Sequence, residues 1–365
     1  MNNTEKYFFE GYNFFEKNIG GQLGANVTNV YVNNVHNEIL NFMKNLNDFK
    51  GFQTDINQLK GNIAEFWHSG TFNINAIARS STNRTTVLQS NEFASIDIGS
   101  NFGYDYGLKY YKTGVDSANQ QAKSIFEKFK EYQAHSGKDD LDKFLSDRGL
   151  SYENINNPIY SGQYRIIPKE QLEEAIKYLE QKIAKESIAR PELAEKYRET
   201  LKMLRTKIED GKGTESISLS TEDAKKIAEL SKEGCVTEEE LKKLGISTED
   251  IIKFEYILKE SFKAGLTAVK ITLILKLAPE IYKAIKYLIN SGEIDFSQFK
   301  MMGIECLQAG SEAFLRGTVA ATITGAFKAG LCGEALKTIN PTIIGAFTVF
   351  ILDIIKNSFK VAQGK

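Results

Sequence analysis

Three charged residues between Gly61 and Lys112 have the types and spacing for phosphodiester chemistry: Glu65, Asp97 and Lys109. Glu65 lies in an apolar, helix-like stretch, Asp97 within an Ile-Asp-Ile run, and Lys109 within a second, aromatic-rich run. A carboxylate among β-branched residues is costly to bury unless it is paired or holds a cation. Breaking a phosphodiester needs an activated water and relief of charge on the phosphate. Magnesium (Mg²⁺) held by carboxylates supplies both, and a nearby lysine orients the water or steadies the phosphate. Glu65 and Asp97 are therefore the candidate Mg²⁺ ligands, and Glu65, Asp97 and Lys109 the candidate catalytic set. A second reading of the same residues is a cross-strand ion pair between Asp97 and Lys109 in a half-exposed hairpin.

These side chains need a helix and a hairpin to hold them. The runs Phe93–Ile98 and Tyr104–Tyr111 have strand character, and the segment between them, Gly99–Gly103, is turn-forming. Strand periodicity places Phe102, Tyr104, Tyr106, Leu108 and Tyr110 on one face of the second run. Asp105, Gly107, Lys109 and Tyr111 take the other. Antiparallel pairing of 93–98 with 104–111 would bring Lys109 beside Asp97, with the Glu65 segment a helix packed nearby. Arg79, Arg84 and Lys112 form a candidate basic patch for substrate phosphates, with Tyr110 and Tyr111 available for base stacking. His68 follows Glu65 closely enough to reach the same pocket. Isolated histidines are more often hydrogen-bonded structural groups, and His36 and His135 fall in that class.

The order Glu65, Asp97, Lys109 resembles the PD-(D/E)xK, restriction-endonuclease-like phosphodiesterases over residues 60–130. That family carries a Glu on a helix ahead of the sheet, an Asp on a strand, and Glu/Gln-x-Lys on the next. The resemblance implies a nuclease fold, Mg²⁺ dependence and a DNA or RNA substrate. It also implies a glutamine on the following helix, for which Gln120 and Gln121 are the candidates, Gln121 being taken as the substrate-binding one. The chain departs from the pattern at Gly107, which stands where the acid or amide two residues before the lysine belongs. The overall layout resembles uncharacterised bacterial and mobile-element proteins, which implies a phage-defence or mobile-element setting.

Along the chain the composition changes twice, and the fold class expected is α+β. Residues 1–155 read as an α/β nuclease-like domain with an opening helix over Glu5–Asn18 and a longer one over Val30–Leu46. Ala118–Tyr132 returns to helical periodicity. Residues 156–250 read as a charged helical linker or small bundle. There Leu172, Ile176, Leu179 and Ile183 share a helix face, and Pro191 opens a helix. Ser220 with Asp223, Thr237 with Glu240, and Ser247 with Asp250 resemble capping boxes. Residues 251–365 read as a Gly/Ala-rich helical domain in which Gly303, Gly310 and Gly317 recur every seven residues, giving one helix face a smooth groove for close packing.

At a net charge of −1, no global field draws the chain to nucleic acid, so any such contact must come from a local patch. Three cysteines without CxxC pairs, and a start lacking secretory features, fit a cytoplasmic protein. Self-association through the C-terminal helices is expected. Membrane contact by them is the less favoured reading, because Glu305, Glu312, Arg316, Lys328 and Glu334 interrupt the apolar surface. The rival to a nuclease is a non-enzymatic effector acting through those helices.

Overall fold

The computed structural model describes residues 28–90, 93–135 and 137–253, together with scattered positions between 256 and 353. The opening helix expected at Glu5–Asn18 and the Gly303/Gly310/Gly317 seam lie outside the described residues.

The protein is α+β. Helix α1 covers 28–47 and α2 covers Ile56–Ala78. Five short strands follow: β1 (Thr85–Val87), β2 (Ile98–Ser100), β3 (Tyr106–Leu108), β4 (Tyr164–Ile166) and β5 (Leu204–Arg205). They form one sheet in the order β1-β2-β3-β4-β5. The first three are antiparallel neighbours, whereas β3, β4 and β5 run parallel. Parallel neighbours need long crossovers, and helices fill them. Helices α3 (Gly114–Gln121), α4 (Ile125–Ala134) and α5 (Leu141–Ser146) lie between β3 and β4, and α6 (Leu172–Ala189) and α7 (Pro191–Met203) between β4 and β5. Helices α8 (Thr221–Glu233), α9 (Glu238–Lys243) and α10 (Thr248–Ile251) follow β5.

The chain groups into two compact units. One contains residues 39–77 and 81–241, and with them the whole sheet; the described residues 28–38, 78–80 and those from Lys242 onward belong to the other. Thus β4 and β5 come from the zone that reads as purely helical in sequence, and the sheet runs through the boundary expected at 155. Both strands are so short that strand periodicity has nothing to register, and each is paired over a long sequence separation.

Local signals fare better. Ser220, Thr237 and Ser247 each accept a backbone hydrogen bond from the residue three further on, and Pro191 opens α7. The apolar face of α6 packs with Ala118, Ala122, Tyr197 and Leu204 into one core cluster. Helical periodicity over 118–132 resolves into two helices, because Ser124 and Glu127 form a reciprocal capping box that starts α4 afresh.

Candidate active site

The position of Glu65 is set by α2, which is bolted to the core through polar side chains a turn apart. Trp67 Nε1 donates to the Ile217 carbonyl at 2.7 Å, Thr71 Oγ1 accepts from Ile217 N at 3.0 Å, and Asn75 Nδ2 donates to the Glu215 carbonyl at 2.9 Å. On the neighbouring face Asn73 brackets Thr85 of β1, accepting from its N–H and donating to its carbonyl, both at 2.9 Å. Gly70 faces Phe42, whose ring stands inside the space a Cβ would need. These ties leave little freedom for the turn that carries Glu65.

Asp97 and Lys109 flank the strands rather than lying within them, Asp97 one residue before β2 and Lys109 one after β3. Strands 93–98 and 104–111 are thus confirmed as antiparallel partners but only in part: the paired segments are Ile98–Ser100 and Tyr106–Leu108, with Ile98 opposite Tyr106. Continuing that register sets Asp97 against Gly107. The Asp97 carboxylate accepts from the Leu108 N–H at 2.6 Å and stands 3.5 Å from the Lys109 ammonium. Lys109 also donates to its neighbour's carbonyl, Leu108 O, at 2.9 Å and lies over the Tyr160 ring, 4.6 Å from its centre.

Glu65 lies within electrostatic reach of both Asp97 and Lys109. Its carboxyl is pushed up to about 8, chiefly by burial and then by the Asp97 charge, with Lys109 opposing. Burial also works against the Lys109 charge, but Tyr160 and Asp97 outweigh it and hold the ammonium above its ordinary value. Lys109 is therefore a fixed cation at neutral pH and not a base.

Two glutamines complete the surroundings of Gly107. Gln121, fully buried on α3, donates from Nε2 to the Gly107 carbonyl at 3.3 Å, so it is a support beneath the strand and not an exposed substrate contact. Gln163, just ahead of β4, donates from Nε2 to the Ala94 carbonyl at 3.1 Å. Those bonds fix which end of each amide is oxygen, and both Oε1 atoms are buried without a hydrogen-bond partner among the described residues. Gln163 Oε1 lies 3.0 Å from the point a Cβ on Gly107 would occupy, and Asp97 Oδ2 lies 3.9 Å from it. Gln163 was invisible to sequence reasoning, because it reaches the site only through the parallel pairing of Gly107 with Arg165.

The remaining candidates divide. Lys112 lines a cleft that also takes in Lys109. Arg84 braces its own loop, donating to the carbonyls of Ser81 and Asn83 at 2.7 and 2.6 Å. Arg79 belongs to the other compact unit, where it donates to Tyr256 Oη at 2.6 Å and stacks on that ring. His68 is structural: fully buried, it spans Ser216 Oγ and Tyr110 Oη, each at 2.9 Å.

Burial holds the His68 imidazole down to about 3 from its ordinary 6.5. Below pH 6.5 the unfolded chain takes up a proton that the folded chain refuses, so this contribution to stability is whole above that pH and is lost on acidification towards 3. The limiting slope is ~1.4 kcal/mol per pH unit. Urea denaturation of wild type and His68→Gln at pH 7 and pH 5 should show the wild type losing more on acidification than the variant. Parallel losses would mean that His68 titrates normally.

The chain matches no family model, no curated protein and no solved structure. No described helix is long and apolar enough to cross a membrane.

Proposed function

We propose that this protein is a Mg²⁺-dependent nuclease with Glu65, Asp97 and Lys109 as its catalytic residues. The observation that carries the reading is the Asp97–Lys109 pair at one end of a small sheet, with the α2 carboxyl of Glu65 within electrostatic reach of both. The order helix-borne Glu, Asp, Lys and then a glutamine on the next helix is the order of the PD-(D/E)xK pattern.

The donor set suits a hard cation. Among the described residues no three His, Cys, Asp or Glu side chains converge; Mg²⁺ is commonly bound by one or two carboxylates and keeps several waters, so two carboxylates would suffice. The Glu65 and Asp97 carboxylates and the orphan Gln163 oxygen would hold it. The amide of Gln163, just ahead of the neighbouring strand, would then fill the role that Gly107 leaves open. Bound Mg²⁺ would activate water and neutralise charge on the phosphate. Lys109, oriented by Asp97, Leu108 O and the Tyr160 ring, contributes a fixed positive charge beside the phosphate. The nuclease-like unit, the Gly/Ala-rich helices of 251–365 as a self-association domain, and a phage-defence or mobile-element role form one consistent proposal for the whole chain.

Purified protein should cleave DNA or RNA with Mg²⁺ or Mn²⁺ and stop in EDTA; cleavage that persists in EDTA would end this reading. The amide substitution has its own test. Gln163→Ala should weaken Mn²⁺ binding, measured by calorimetry, on the order of tenfold or more, since first-row ions and Mg²⁺ are held by counted oxygen ligands. Gly107→Glu alone crowds Gln163 Oε1, whereas in the Gln163→Ala background the new carboxylate has room and should restore binding. Unchanged Mn²⁺ affinity in Gln163→Ala would remove the amide from the donor set.

A further inference from the structure

Beside the end of β3 lies a cleft of about 690 Å³ whose lining includes Lys60 from α2, Lys109 and Lys112 from the segment after β3, and Lys225 from α8. Among the described residues no carboxylate lines it. Lys60 is the informative member. It is buried, at 5% exposure, yet it makes no hydrogen bond or ion pair with a described residue. Burial and the Lys225 charge both disfavour its ammonium, and only Glu170, acting from outside the cleft, offsets them. Like charges held this close repel unless a counter-charge joins them. A cleft that gathers Lys60 and Lys225 with no carboxylate in its lining suits an anion that arrives from outside. Tyr111, 41% exposed, presents a ring on the same wall, and Thr221 a hydroxyl.

We propose that this cleft binds the phosphodiester backbone of a nucleic-acid strand, with Lys60 and Lys225 gripping consecutive phosphates, Lys112 at the mouth and Tyr111 stacking on a base. Lys109 is common to the cleft and to the carboxylate cluster, so a strand lying here presents a phosphate to that cluster. The assignment of this strand as substrate rests on the nuclease reading; the binding itself does not, and it is measured without metal. Lysine contacts to phosphate release counterions and make affinity fall with salt, while exposed aromatic rings favour single strands.

The test is fluorescence polarisation of a labelled single-stranded 12-mer in EDTA across a salt series. Lys60→Met with Lys225→Gln should weaken binding about tenfold or more at low salt and flatten the log–log salt dependence by roughly 0.7 for each phosphate no longer neutralised. Lys138→Gln, an exposed lysine elsewhere, should change neither. Lys60→Met keeps the aliphatic stem and removes only the charge, so its melting temperature should hold while binding falls. A lower melting temperature with unaltered binding would make Lys60 a structural residue and overturn the proposal, as would undiminished 12-mer binding by the double variant. Inorganic pyrophosphate binding as tightly as the 12-mer would reassign the cleft to a small phosphate compound. If wild type binds the 12-mer through these lysines but never cleaves it with metal present, the cleft stands and the nuclease reading falls.

Discussion

Asp97→Asn and Lys109→Met should each reduce metal-dependent cleavage by roughly 10²–10⁴-fold, the range typical for losing a positioned catalytic group. Asn is the informative substitution at 97, because the native carboxylate does two things. It faces Lys109 at 3.5 Å and it receives the Leu108 N–H at 2.6 Å, where the β2–β3 ladder runs out. Alanine would leave that half-buried N–H without its acceptor, at about 1–3 kcal/mol, and would confuse loss of chemistry with loss of structure. Asn keeps an oxygen for Leu108 while removing the negative charge that a cation needs. Lys109→Met likewise keeps a stem to lie against Tyr160 and removes only the charge. Cleavage of a labelled oligonucleotide with Mn²⁺, read alongside urea midpoints, separates the two effects. Full activity in Asp97→Asn would dispose of the mechanism, leaving Asp97 and Lys109 as a cross-strand ion pair.

The largest expected loss of stability lies one strand away. Arg165, in the middle of β4, is fully buried, and burial draws its guanidinium down to about 10. Glu199 Oε1 pairs with it at 3.0 Å, the Tyr160 carbonyl accepts from it at 3.2 Å, and Thr200 Oγ1 accepts from its other terminal nitrogen. Glu199→Ala should cost about 3–5 kcal/mol, because it strands a buried cation. The reverse change should cost less. Arg165→Met removes the buried charge itself, while Glu199, 28% exposed, can turn to water. This asymmetry, measured by urea denaturation, distinguishes a desolvated pair from a surface one. A loss below about 1 kcal/mol in Glu199→Ala would mean that solvent already shares the site. Because Gly107 is the register partner of Arg165, the same variant should also loosen the packing of Gln163 against Gly107 and weaken Mn²⁺ binding.

The parts of this protein written locally were legible in its sequence. Helix starts at Ser220, Thr237, Ser247 and Pro191 depend on residues within one turn, and the α6 face depends only on the 3.6-residue period, so no distant partner was needed to read them. The α+β class and the β2–β3 pairing followed from short-range alternation around a glycine-rich turn, and that hairpin alone brings Asp97 to Lys109. What depended on long-range pairing was hidden. Strands β4 and β5, three and two residues long, exist because β3 accepts β4, and β4 accepts β5, as parallel neighbours after long helical crossovers. Nothing in Tyr164–Ile166 announces a strand by itself. With β4 came Gln163 at Gly107, and with α2 and α8 packed against the segment after β3 came Lys60 and Lys225 in one cleft. Side-chain roles were decided the same way: Arg79, Arg84 and His68 were chemically eligible for the site, but packing committed their hydrogen bonds to Tyr256, to a loop and to a buried Ser–His–Tyr chain. Residue type establishes what a group is able to do, whereas burial and the partners supplied by tertiary contacts determine which of those abilities remains free.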